Sequence, residues 1–344
     1  MMRLLVVKLS SLGDVVHALP AVTDASRAIA DLEVHWVVEE AYRDIPALHP
    51  AVSRVIPIAL RRWRRSWRGA VAEIGDCISA LRRDTYDVVL DAQGLIKSSV
   101  VAGLCRGVRA GFDRASAREP LAAIGYRSGI AVAKGYHAID RQRALFAGAL
   151  GYRCPTAPLD YGLLRANPSR AGVVLAHGTT WASKRWPEAF WVELACRLMR
   201  SGIAATLPWG SDVERDRARR IAAGAPGAVV AERTDLRGMI DLLRRSAAVV
   251  SVDSGIGHLA AALGVPTIAV YGPTDPNLTG CRGEAVESLP AQFECAPCLA
   301  RRCAYRGEPR VVAGARVEPP CFSTVTPERV WQRLVSIARS TVAS

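Results

Sequence analysis

Residues 3–20 read RLLVVKLSSLGDVVHALP: an apolar run of strand length, a short polar loop and the start of a helix. The same order recurs at residues 248–264, AVVSVDSGIGHLAAALG, where the loop consists of small residues. Strand-sized apolar runs that alternate with helical stretches predict parallel sheets built from βαβ units. The sequence therefore predicts an α/β protein in which loops at the carboxyl ends of strands carry the ligand sites.

This alternation extends along the chain and restarts once. In the first half, strands are predicted over 3–7, 33–38, 88–92 and 108–111, and helices over 15–30 and 73–83. After a Pro-broken stretch near 155–172, strands are predicted over 173–176, 204–208, 229–231, 248–252 and 267–271. The helices of this second set are predicted over 187–201, 214–223, 236–245 and 256–263, with a last one over 327–340. Two such sets predict two doubly wound domains facing a central cleft.

The length of 344 residues corresponds to about two domains of ordinary size. Half of the residues are hydrophobic and 22% are charged, which excludes an intrinsically disordered chain. Lys and Arg exceed Asp and Glu by 13, and the two halves carry +6 and +7. A positive charge spread over the whole chain favours anionic partners: nucleic acid, anionic lipid or phosphorylated substrates.

Two features predict a cytosolic chain, or one bound to the cytosolic face of a membrane. The apolar start stops at Lys8, which is too short for the core of a signal peptide, and the apolar runs are strand-sized. The cysteine count of nine is odd, and without an export signal the thiols are expected to stay reduced.

The loop after the first strand leads to Asp14, in the first turn of the helix that follows. The helix dipole alone favours an acidic residue there. A carboxylate on a short turn at a strand end is also what a general base requires. The spacing of a P-loop, Gly-x4-Gly-Lys-Ser/Thr, is absent. Both interpretations of Asp14 stay open from the residues alone.

Two loops of the second half have the composition of phosphate sites. Residues 177–184, HGTTWASK, combine two hydroxyls, backbone amides and one of only four lysines in front of a helix. An ordinary polar loop is the alternative. Residues 251–258, SVDSGIGH, allow backbone amides to approach a pyrophosphate closely. Here His258 either bonds a phosphate oxygen or is a histidine of the core.

Residues 61–68, RRWRRSWR, predict a helix with Arg61, Arg64, Arg65 and Arg68 on one face and two tryptophans roughly opposite. Solvated arginines above core-facing tryptophans are one interpretation. A docking surface for a polyanionic or membrane-embedded acceptor is the other. Nucleic acid is not expected, because no helix-turn-helix, zinc-finger or RNP-type motif accompanies the segment.

A cysteine-rich stretch contains Cys295, Cys298 and Cys303, and Cys321 follows further along the chain. Four cysteines are the ligands of many structural metal sites. A second Cys-x2-Cys pair is missing, however, and Cys321 lies far away in a Pro-rich loop. Reduced thiols in a surface insertion are therefore favoured over a metal site.

Taken together, these segments resemble the ADP-heptose:lipopolysaccharide heptosyltransferases, and among them the heptosyltransferase I group. The blocks that carry the resemblance keep their order and spacing along most of the chain. They are KLSSLGDVVHALP (8–20), WVVEE (36–40), VIPIALRRWR (55–64), DAQGLIKS (91–98), AREPLA (117–122), TTWASKRWPE (179–188), LPWG (207–210), SVDSG (251–255) and VYGPTDP (270–276).

The resemblance implies a GT-B fold of two Rossmann-like domains. The acceptor site would lie in the first domain (1–160) and the nucleotide-sugar site in the second (161–325), and a C-terminal helix (326–344) would return toward the first. The residues implied to bind the donor are Thr179, Thr180, Lys184, Glu214, Thr234, Asp253, Ser254, Gly255 and His258. Ser254 replaces the more usual Thr and keeps its hydroxyl, whereas the Cys-rich stretch 281–321 departs from the family pattern.

For the first domain, the resemblance implies Asp14 as the catalytic base. The residues implied to bind the acceptor are Ser10, Gly13, Arg61, Arg62, Arg64, Gln93, Lys97 and Arg118. The implied reaction is an inverting transfer of heptose from ADP-L-glycero-D-manno-heptose to Kdo of Kdo-lipid A, at the cytoplasmic face of the inner membrane, with no metal or other cofactor. The alternatives are heptosyltransferase II, another glycosyltransferase that uses ADP-heptose, or a non-catalytic nucleotide-sugar-binding protein.

Overall fold

A computed structural model of the chain describes residues 1–66, 68–164 and 171–342, with side chains to residue 337. The chain divides into two compact units, residues 1–164 and 165–344, whereas the sequence predicts the division after residue 160. Each unit contains a six-stranded parallel sheet with helices in the connections. The predicted α/β class with two doubly wound units is confirmed.

The first unit alternates strands and helices from its start. Its strands are β1 (Met2–Val7), β2 (Leu32–Glu39), β3 (Val52–Ile58), β4 (Thr85–Asp91), β5 (Arg106–Phe112) and β6 (Ser128–Ile130). Its helices are α1 (Leu12–Val16), α2 (Leu19–Ala28), α3 (Asp44–Ala47), α4 (Leu60–Trp63), α5 (Val71–Arg82), α6 (Ile96–Leu104) and α7 (Ala138–Leu150). Short 3₁₀ helices at Glu40–Tyr42, Arg68–Ala70 and Pro120–Gly125 complete the set.

The strand order of this sheet is β3-β2-β1-β4-β5-β6, and every neighbouring pair is parallel. The order therefore reverses between β1 and β4, which lie side by side with Val7 opposite Asp91. The connections that leave these two strands run to opposite sides, so their loops separate and leave a crevice at the carboxyl ends. Residues 8–14, called the Asp14 loop below, follow β1 and open into this crevice, with Asp14 itself in the first turn of α1.

The helix predicted over 15–30 is two helices, so this prediction is wrong in detail. α1 ends at Val16 and α2 begins at Leu19, with Pro20 in its first turn. Proline has no backbone N–H and its ring clashes with a preceding turn, so it starts a helix far better than it continues one. β3 was not predicted because Pro57 interrupts its apolar run; a proline is tolerated there because β3 is an edge strand.

The second unit repeats the design of the first. Its strands are β7 (Val173–Ala176), β8 (Ala205–Leu207), β9 (Val229–Val230), β10 (Ala248–Val252), β11 (Thr267–Tyr271), β12 (Val286–Pro290), β13 (Arg310–Val312) and β14 (Ala315–Val317). Its helices are α8 (Glu188–Arg200), α9 (Asp212–Gly224), α10 (Leu236–Arg245), α11 (Gly255–Ala262), α12 (Pro276–Thr279) and α13 (Pro327–Val342). Two 3₁₀ helices lie at Ala182–Lys184 and Pro320–Thr324.

The main sheet of this unit has the order β12-β11-β10-β7-β8-β9. With β7 to β12 counted as strands 1 to 6, the order read from the β9 edge is 3-2-1-4-5-6, the same as in the first sheet. Here the reversal falls between β7 and β10, which are parallel neighbours with Ala176 opposite Ser251. The two phosphate-type loops predicted from the sequence follow these two strands. Both therefore open at the crevice of the second unit, while β13 and β14 form a separate antiparallel hairpin.

An aromatic cluster forms one side of the core of the second unit. Trp186, Phe190 and Trp191 are buried, and the two indole rings meet edge to face with centroids 4.9 Å apart. Such contacts add to the hydrophobic gain of burying large rings. The last helix joins this core through Val330 and Leu334 and packs on α8. Its predicted return toward the first unit remains a prediction. No helix among the described residues combines the length and hydropathy needed to cross a membrane.

Truncating a core side chain in each unit should test whether the two cores are separate. We expect Trp191→Ala to cost about 3–5 kcal/mol and Leu5→Ala about 2–5 kcal/mol, because both side chains are fully buried. In denaturant unfolding followed by site-specific probes, each substitution should shift the transition of its own unit. An equal shift of both transitions by either variant would contradict two separate cores.

Candidate active site

The loop after β1 holds the carboxylate of Asp14 in one orientation. The backbone N–H and the hydroxyl of Ser11 both donate to Oδ2 of Asp14, each at 2.8 Å. These two bonds hold the start of α1, where a Ser precedes the helix and an acid follows three residues later. Oδ1 of Asp14 receives no hydrogen bond from the part of the chain that the structure describes. One oxygen therefore anchors the side chain and the other is left for chemistry.

Hydrogen bonds across the crevice tie this loop to the loop after β4. The backbone N–H groups of Leu9 and Ser10 donate to Oε1 of Gln93, at 2.8 and 3.3 Å. The Nζ of Lys97 donates to the hydroxyl of Ser10 at 3.2 Å. Gln93 and Lys97, two of the residues implied to bind the acceptor, thus contact a third, Ser10, within the Asp14 loop, and Gly13 is buried within α1.

Charges around Asp14 keep its carboxylate ionised. Burial by itself would raise the pKa of Asp14. The ammonium of Lys8, the two hydrogen bonds from Ser11 and the guanidinium of Arg118 outweigh burial and hold that pKa below its usual value. Lys8 is itself buried and donates to the carbonyl oxygen of Ala92 at 2.8 Å. Asp14 is consequently a carboxylate at neutral pH, the form that accepts a proton.

A second carboxylate, Asp91, holds the start of the loop that carries Gln93. It lies at the end of β4 and is fully buried, and burial raises its pKa. The hydroxyls of Tyr126 and Ser98 donate to its Oδ2 at 2.6 and 2.7 Å, and the N–H of Gln93 donates to Oδ1 at 2.8 Å. Asp91 was not assigned a role from the sequence. The signal in the sequence is an acidic residue at the last position of a buried strand, where its carboxylate can accept hydrogen bonds from the loop that follows.

The arginine segment 61–68 does not form the predicted helix. α4 ends at Trp63 after a single turn, so the predicted common face of four arginines is wrong. Trp63 is buried in the core of the first unit, whereas Trp67 lies outside the described residues. A turn follows α4, and the chain then enters the 3₁₀ helix at Arg68–Ala70.

The three arginines implied to bind the acceptor differ in their partners. Arg62 is ion-paired to Glu40 and Glu73, at 3.0 and 2.5 Å. Arg61 donates to the hydroxyl of Tyr42 at 2.9 Å and lies over its ring. Arg64 is exposed, and its guanidinium has no partner among the residues that the structure describes. Arg61 and Arg64 therefore keep charges that no carboxylate neutralises, and of these two only the guanidinium of Arg64 has no hydrogen-bond partner within the described ranges.

In the second unit, a buried ion pair joins the two loops at the crevice. The Nζ of Lys184 lies 2.7 Å from Oδ2 of Asp253. The hydroxyl of Thr274 donates to the same oxygen at 2.6 Å, and the hydroxyl of Thr179 donates to the backbone oxygen of Asp253 at 3.2 Å. His258 lies on the other side, with Nε2 3.9 Å from Oδ1. Four of the implied donor-binding residues are thus brought together.

This cluster carries a net positive charge at neutral pH. Burial favours the neutral acid, but His258, Lys184 and Thr274 together lower the pKa of Asp253 to about 2. Burial favours a neutral imidazole, but Cys281 and Asp253 raise the pKa of His258 to about 10. Two cations and one carboxylate leave one positive charge, which suits a bound diphosphate.

The start of α11 lies next to the ion pair. Ser254 precedes this helix, and Gly255 is its first residue. The hydroxyls of Ser251 and Ser254 lie 3.1 Å apart. Free N–H groups at the start of a helix attract anions, so this end of α11 adds donors to the same site.

A cavity of about 520 Å³ adjoins the loop after β7. Thr179, Thr180 and Glu214 line it, as does Arg185, which was not assigned from the sequence. Glu214 accepts a hydrogen bond from the N–H of Gly210 at 2.8 Å, and a Cβ added at Gly178 would lie 2.5 Å from its other oxygen. Glycine at 178 therefore lets the loop approach Glu214 closely.

One implied donor-binding residue, Thr234, belongs neither to the Lys184 ion-pair cluster nor to the lining of the cavity. Thr234 is exposed, and its hydroxyl lies against Gly238 at the start of α10. Its contacts do not include the Lys184 ion pair or the residues around the cavity. Because this position also has a poorly matched sequence context, its role stays a prediction.

Arg217 and Arg301 contact the loop of residues 177–186, called the donor loop below. Neither arginine was expected there from the sequence. Arg217 is buried and donates to the backbone oxygen of His177 at 3.1 Å and to that of Trp186 at 2.5 Å. It therefore holds both ends of the loop that carries Lys184. The guanidinium of Arg301 lies 5.5 Å from the centre of the Trp181 ring, against which Lys184 also packs at 4.4 Å.

The cysteine-rich stretch packs on the donor loop. Ser183 donates to the backbone oxygens of Ala300 and Arg301, at 2.6 and 3.3 Å. Cys295, Cys298 and Cys303 are exposed free thiols, and Cys321 is a buried one. Within the described ranges, no group of three or more His, Cys, Asp or Glu side chains is arranged to hold a metal ion. The stretch thus supports the loop through its backbone.

Comparison with known proteins identifies the family. The model of "Glycosyltransferase family 9 (heptosyltransferase)" matches residues 74–307. The chain belongs to this family. It is 49% identical to lipopolysaccharide heptosyltransferase 1 of Pseudomonas aeruginosa, over 97% of each chain. The chain is therefore a glycosyltransferase of the heptosyltransferase group, and the resemblance read from the sequence blocks is confirmed.

Solved structures agree with this assignment. The E. coli heptosyltransferase WaaC with ADP superposes with a TM-score of 0.84 at 40% identity, covering 98% of this chain and all of that one. The same enzyme with ADP-2-deoxy-2-fluoro heptose gives a TM-score of 0.81 at 39% identity, covering 97% and 99%. The GT-B fold implied by the sequence is confirmed. The roles of individual site residues remain predictions.

The raised pKa of His258 should make the stability of the second unit depend on pH. Between pH 6.5 and about 10 the folded state keeps a proton that the unfolded state has lost, so the free energy of unfolding should fall as pH rises. His258→Asn should flatten this decline in urea titrations between pH 7 and 10.

His177 provides a matched control for this pH dependence. It is buried in the same unit, and burial lowers its pKa to about 4. Its contribution therefore changes only between about pH 4 and 6.5. His177→Asn should leave the slope above pH 7 unchanged. If His177→Asn flattens that slope and His258→Asn does not, the assignment of the charge to His258 is wrong.

Proposed function

We propose that this glycosyltransferase moves L-glycero-D-manno-heptose from ADP-L-glycero-D-manno-heptose to Kdo of Kdo-lipid A, with Asp14 as the general base. The observation that carries the proposal is the opposite chemistry of two crevices, one in each unit. The first unit offers an ionised carboxylate with one oxygen free. The second unit offers a net cation at the start of a helix.

The second crevice has the properties of a donor site. Lys184, protonated His258 and the N–H groups at the start of α11 would hold the diphosphate of ADP. Glu214, which lines the cavity, would accept hydrogen bonds from ribose hydroxyls. The E. coli relative solved with ADP and with a fluorinated ADP-heptose supports the same class of donor here.

The proposed step is a single displacement at the anomeric carbon. A hydroxyl oxygen of the Kdo acceptor forms a bond to the anomeric carbon, and the bond from that carbon to the ADP oxygen breaks on the opposite face. ADP leaves with the bonding electron pair, and the hydroxyl proton passes to Asp14. The configuration at the anomeric carbon is inverted.

Charge decides how this step is accelerated. Asp14 is a weak base because its pKa lies below the usual carboxyl value. It is sufficient where the hydroxyl gives up its proton late, after the bond to ADP has largely broken. The growing negative charge on ADP is then stabilised by Lys184 and His258, which are held in place before the reaction.

The acceptor that we propose is anionic, since Kdo carries a carboxylate and lipid A carries phosphates. Lys97 and Arg118 lie beside the Asp14 loop, and Arg64 has an available charge in the same unit. The net charge of +13 adds a general attraction to an anionic membrane face. We accordingly propose peripheral binding at the cytoplasmic face of the inner membrane.

The reaction is tested by ADP release from ADP-heptose with de-acylated Kdo-lipid A. We expect acceptor-dependent release by the wild type, and a turnover lower by about 10²–10⁴ in Asp14→Asn, with unchanged ADP affinity. Loss of ADP affinity in that variant would assign Asp14 to binding instead. If ADP is released only with an acceptor that already carries a heptose, the acceptor sugar is heptose and not Kdo.

Lys184 should control donor affinity. Lys184→Gln removes a charge-assisted contact worth about 1.5–3 kcal/mol, so the ADP dissociation constant should rise about 10- to 100-fold in titration calorimetry. Lys134→Gln is the matched control, because Lys134 is an exposed lysine of the first unit. Equal effects of the two substitutions would mean that ADP responds to net charge alone.

Arg64 should contribute to acceptor use and not to donor binding. Reversing its charge in Arg64→Glu should raise KM for the phosphorylated acceptor about 30-fold, because the reversal changes the charge by two units at about 1 kcal/mol each. The ADP dissociation constant should not change. The control is Arg83→Glu, another exposed arginine of the first unit. An equal effect on donor and acceptor would remove Arg64 from the acceptor site.

A further inference from the structure

An exposed aliphatic surface lies beside the Asp14 loop. Leu121 and Ile124 are 60% and 80% exposed, and Ile96 and Val100 are 46% and 60% exposed. Single exposed aliphatic residues are common on proteins, but a contiguous group marks an interaction site. These four residues are called the aliphatic patch below.

The local structure brings the four side chains to one surface. Leu121 and Ile124 belong to the 3₁₀ helix at Pro120–Gly125, in which residues three apart share a face. Ile96 and Val100 are four apart in α6 and share a face as well. In each of the two helices, the exposed aliphatic residues are therefore spaced so that both lie on the same face.

Hydrogen bonds join the two helices into one surface. Glu119 accepts from the backbone N–H of Ile96 at 2.7 Å, and the hydroxyl of Ser99 donates to the backbone oxygen of Ala122 at 2.8 Å. The two elements are also in extensive contact. The aliphatic patch is therefore held as a fixed unit, so binding to it needs little further ordering.

Basic residues flank the members of the patch along the chain. Arg118 and Arg127 lie three residues before Leu121 and three after Ile124, and both are exposed. Lys97 adjoins Ile96 in α6 and bonds Ser10 of the Asp14 loop at 3.2 Å. Aliphatic side chains rimmed by Lys and Arg are the composition of surfaces that lie in the interface of an anionic membrane.

We propose that the aliphatic patch inserts into the acyl layer of an anionic lipid bilayer and holds the Asp14 loop at the membrane surface. The inference rests on the proposed function, in which the acceptor sugar emerges from such a bilayer. It adds the surface that meets the lipid. The bound orientation would place Lys97 and Arg118 at the level of the lipid phosphates.

The test uses the full chain and vesicles of phosphatidylethanolamine and phosphatidylglycerol that contain no acceptor. The patch variant is Leu121→Ser with Ile124→Ser, and the control is Val229→Ser with Val311→Ser, which removes two exposed aliphatic residues of the second unit. We expect the wild type and the control to cosediment with the vesicles equally. The patch variant should bind the vesicles at least about tenfold more weakly.

Activity gives a second readout that a general loss of folding would not reproduce. With de-acylated, water-soluble acceptor, turnover by the patch variant should equal that of the wild type within twofold. With the acceptor embedded in vesicles, kcat/KM of the patch variant should fall about tenfold. If the wild type transfers heptose to neither acceptor, the proposed function fails, while the vesicle result still decides the role of the patch.

Three results would overturn the proposal. The first is equal vesicle binding by the patch variant and the wild type. The second is wild-type binding only to vesicles that contain the acceptor, which would assign the patch to the acyl chains of the acceptor. The third is a wild-type dimer in light scattering that becomes a monomer in the patch variant, which would make the patch an interface between copies.

Discussion

The reversal of strand order in each sheet is the constraint on which the site depends. β1 and β4 are adjacent parallel strands whose connections leave toward opposite sides, and β7 and β10 repeat the arrangement. Loops that follow such strands separate at their carboxyl ends, so polar side chains meet there without filling the space between them. In the first unit Gln93 accepts a hydrogen bond from the N–H of Leu9 in the Asp14 loop, and in the second unit Lys184 pairs with Asp253.

The two crevices share a topology but differ in charge, and this difference divides the reaction between them. In the first unit the cation Lys8 is buried and bonded to a backbone oxygen. The group that can accept a further hydrogen bond is therefore the carboxylate of Asp14. In the second unit the carboxylate of Asp253 is paired, and the net charge is positive. One crevice is therefore suited to take up a proton, and the other to hold a diphosphate and stabilise it as a leaving group.

The fold class, the strands at both reversals and their loops could be predicted because they depend on local patterns: buried apolar runs followed by small or polar residues. Contacts between distant segments could not. Ser183 and Ala300 are 117 positions apart, and no periodicity links them. The buried role of Asp91 and the position of Arg217 likewise depend on tertiary packing. The prediction of an arginine helix over residues 61–68 was wrong because a charge pattern alone does not determine helix length: α4 ends at the buried Trp63, and Arg62 is paired with two acids distant in sequence.

The division of labour between the two crevices is tested most directly by hydrogen–deuterium exchange with each ligand alone. With ADP, the account predicts slower exchange in residues 177–186 and 253–258 and no change in residues 8–14. With de-acylated Kdo-lipid A, it predicts slower exchange in residues 8–14 and 93–97 and no change in the second unit's loops. Protection of residues 8–14 by ADP alone would contradict it, because the donor would then occupy the crevice assigned to the acceptor.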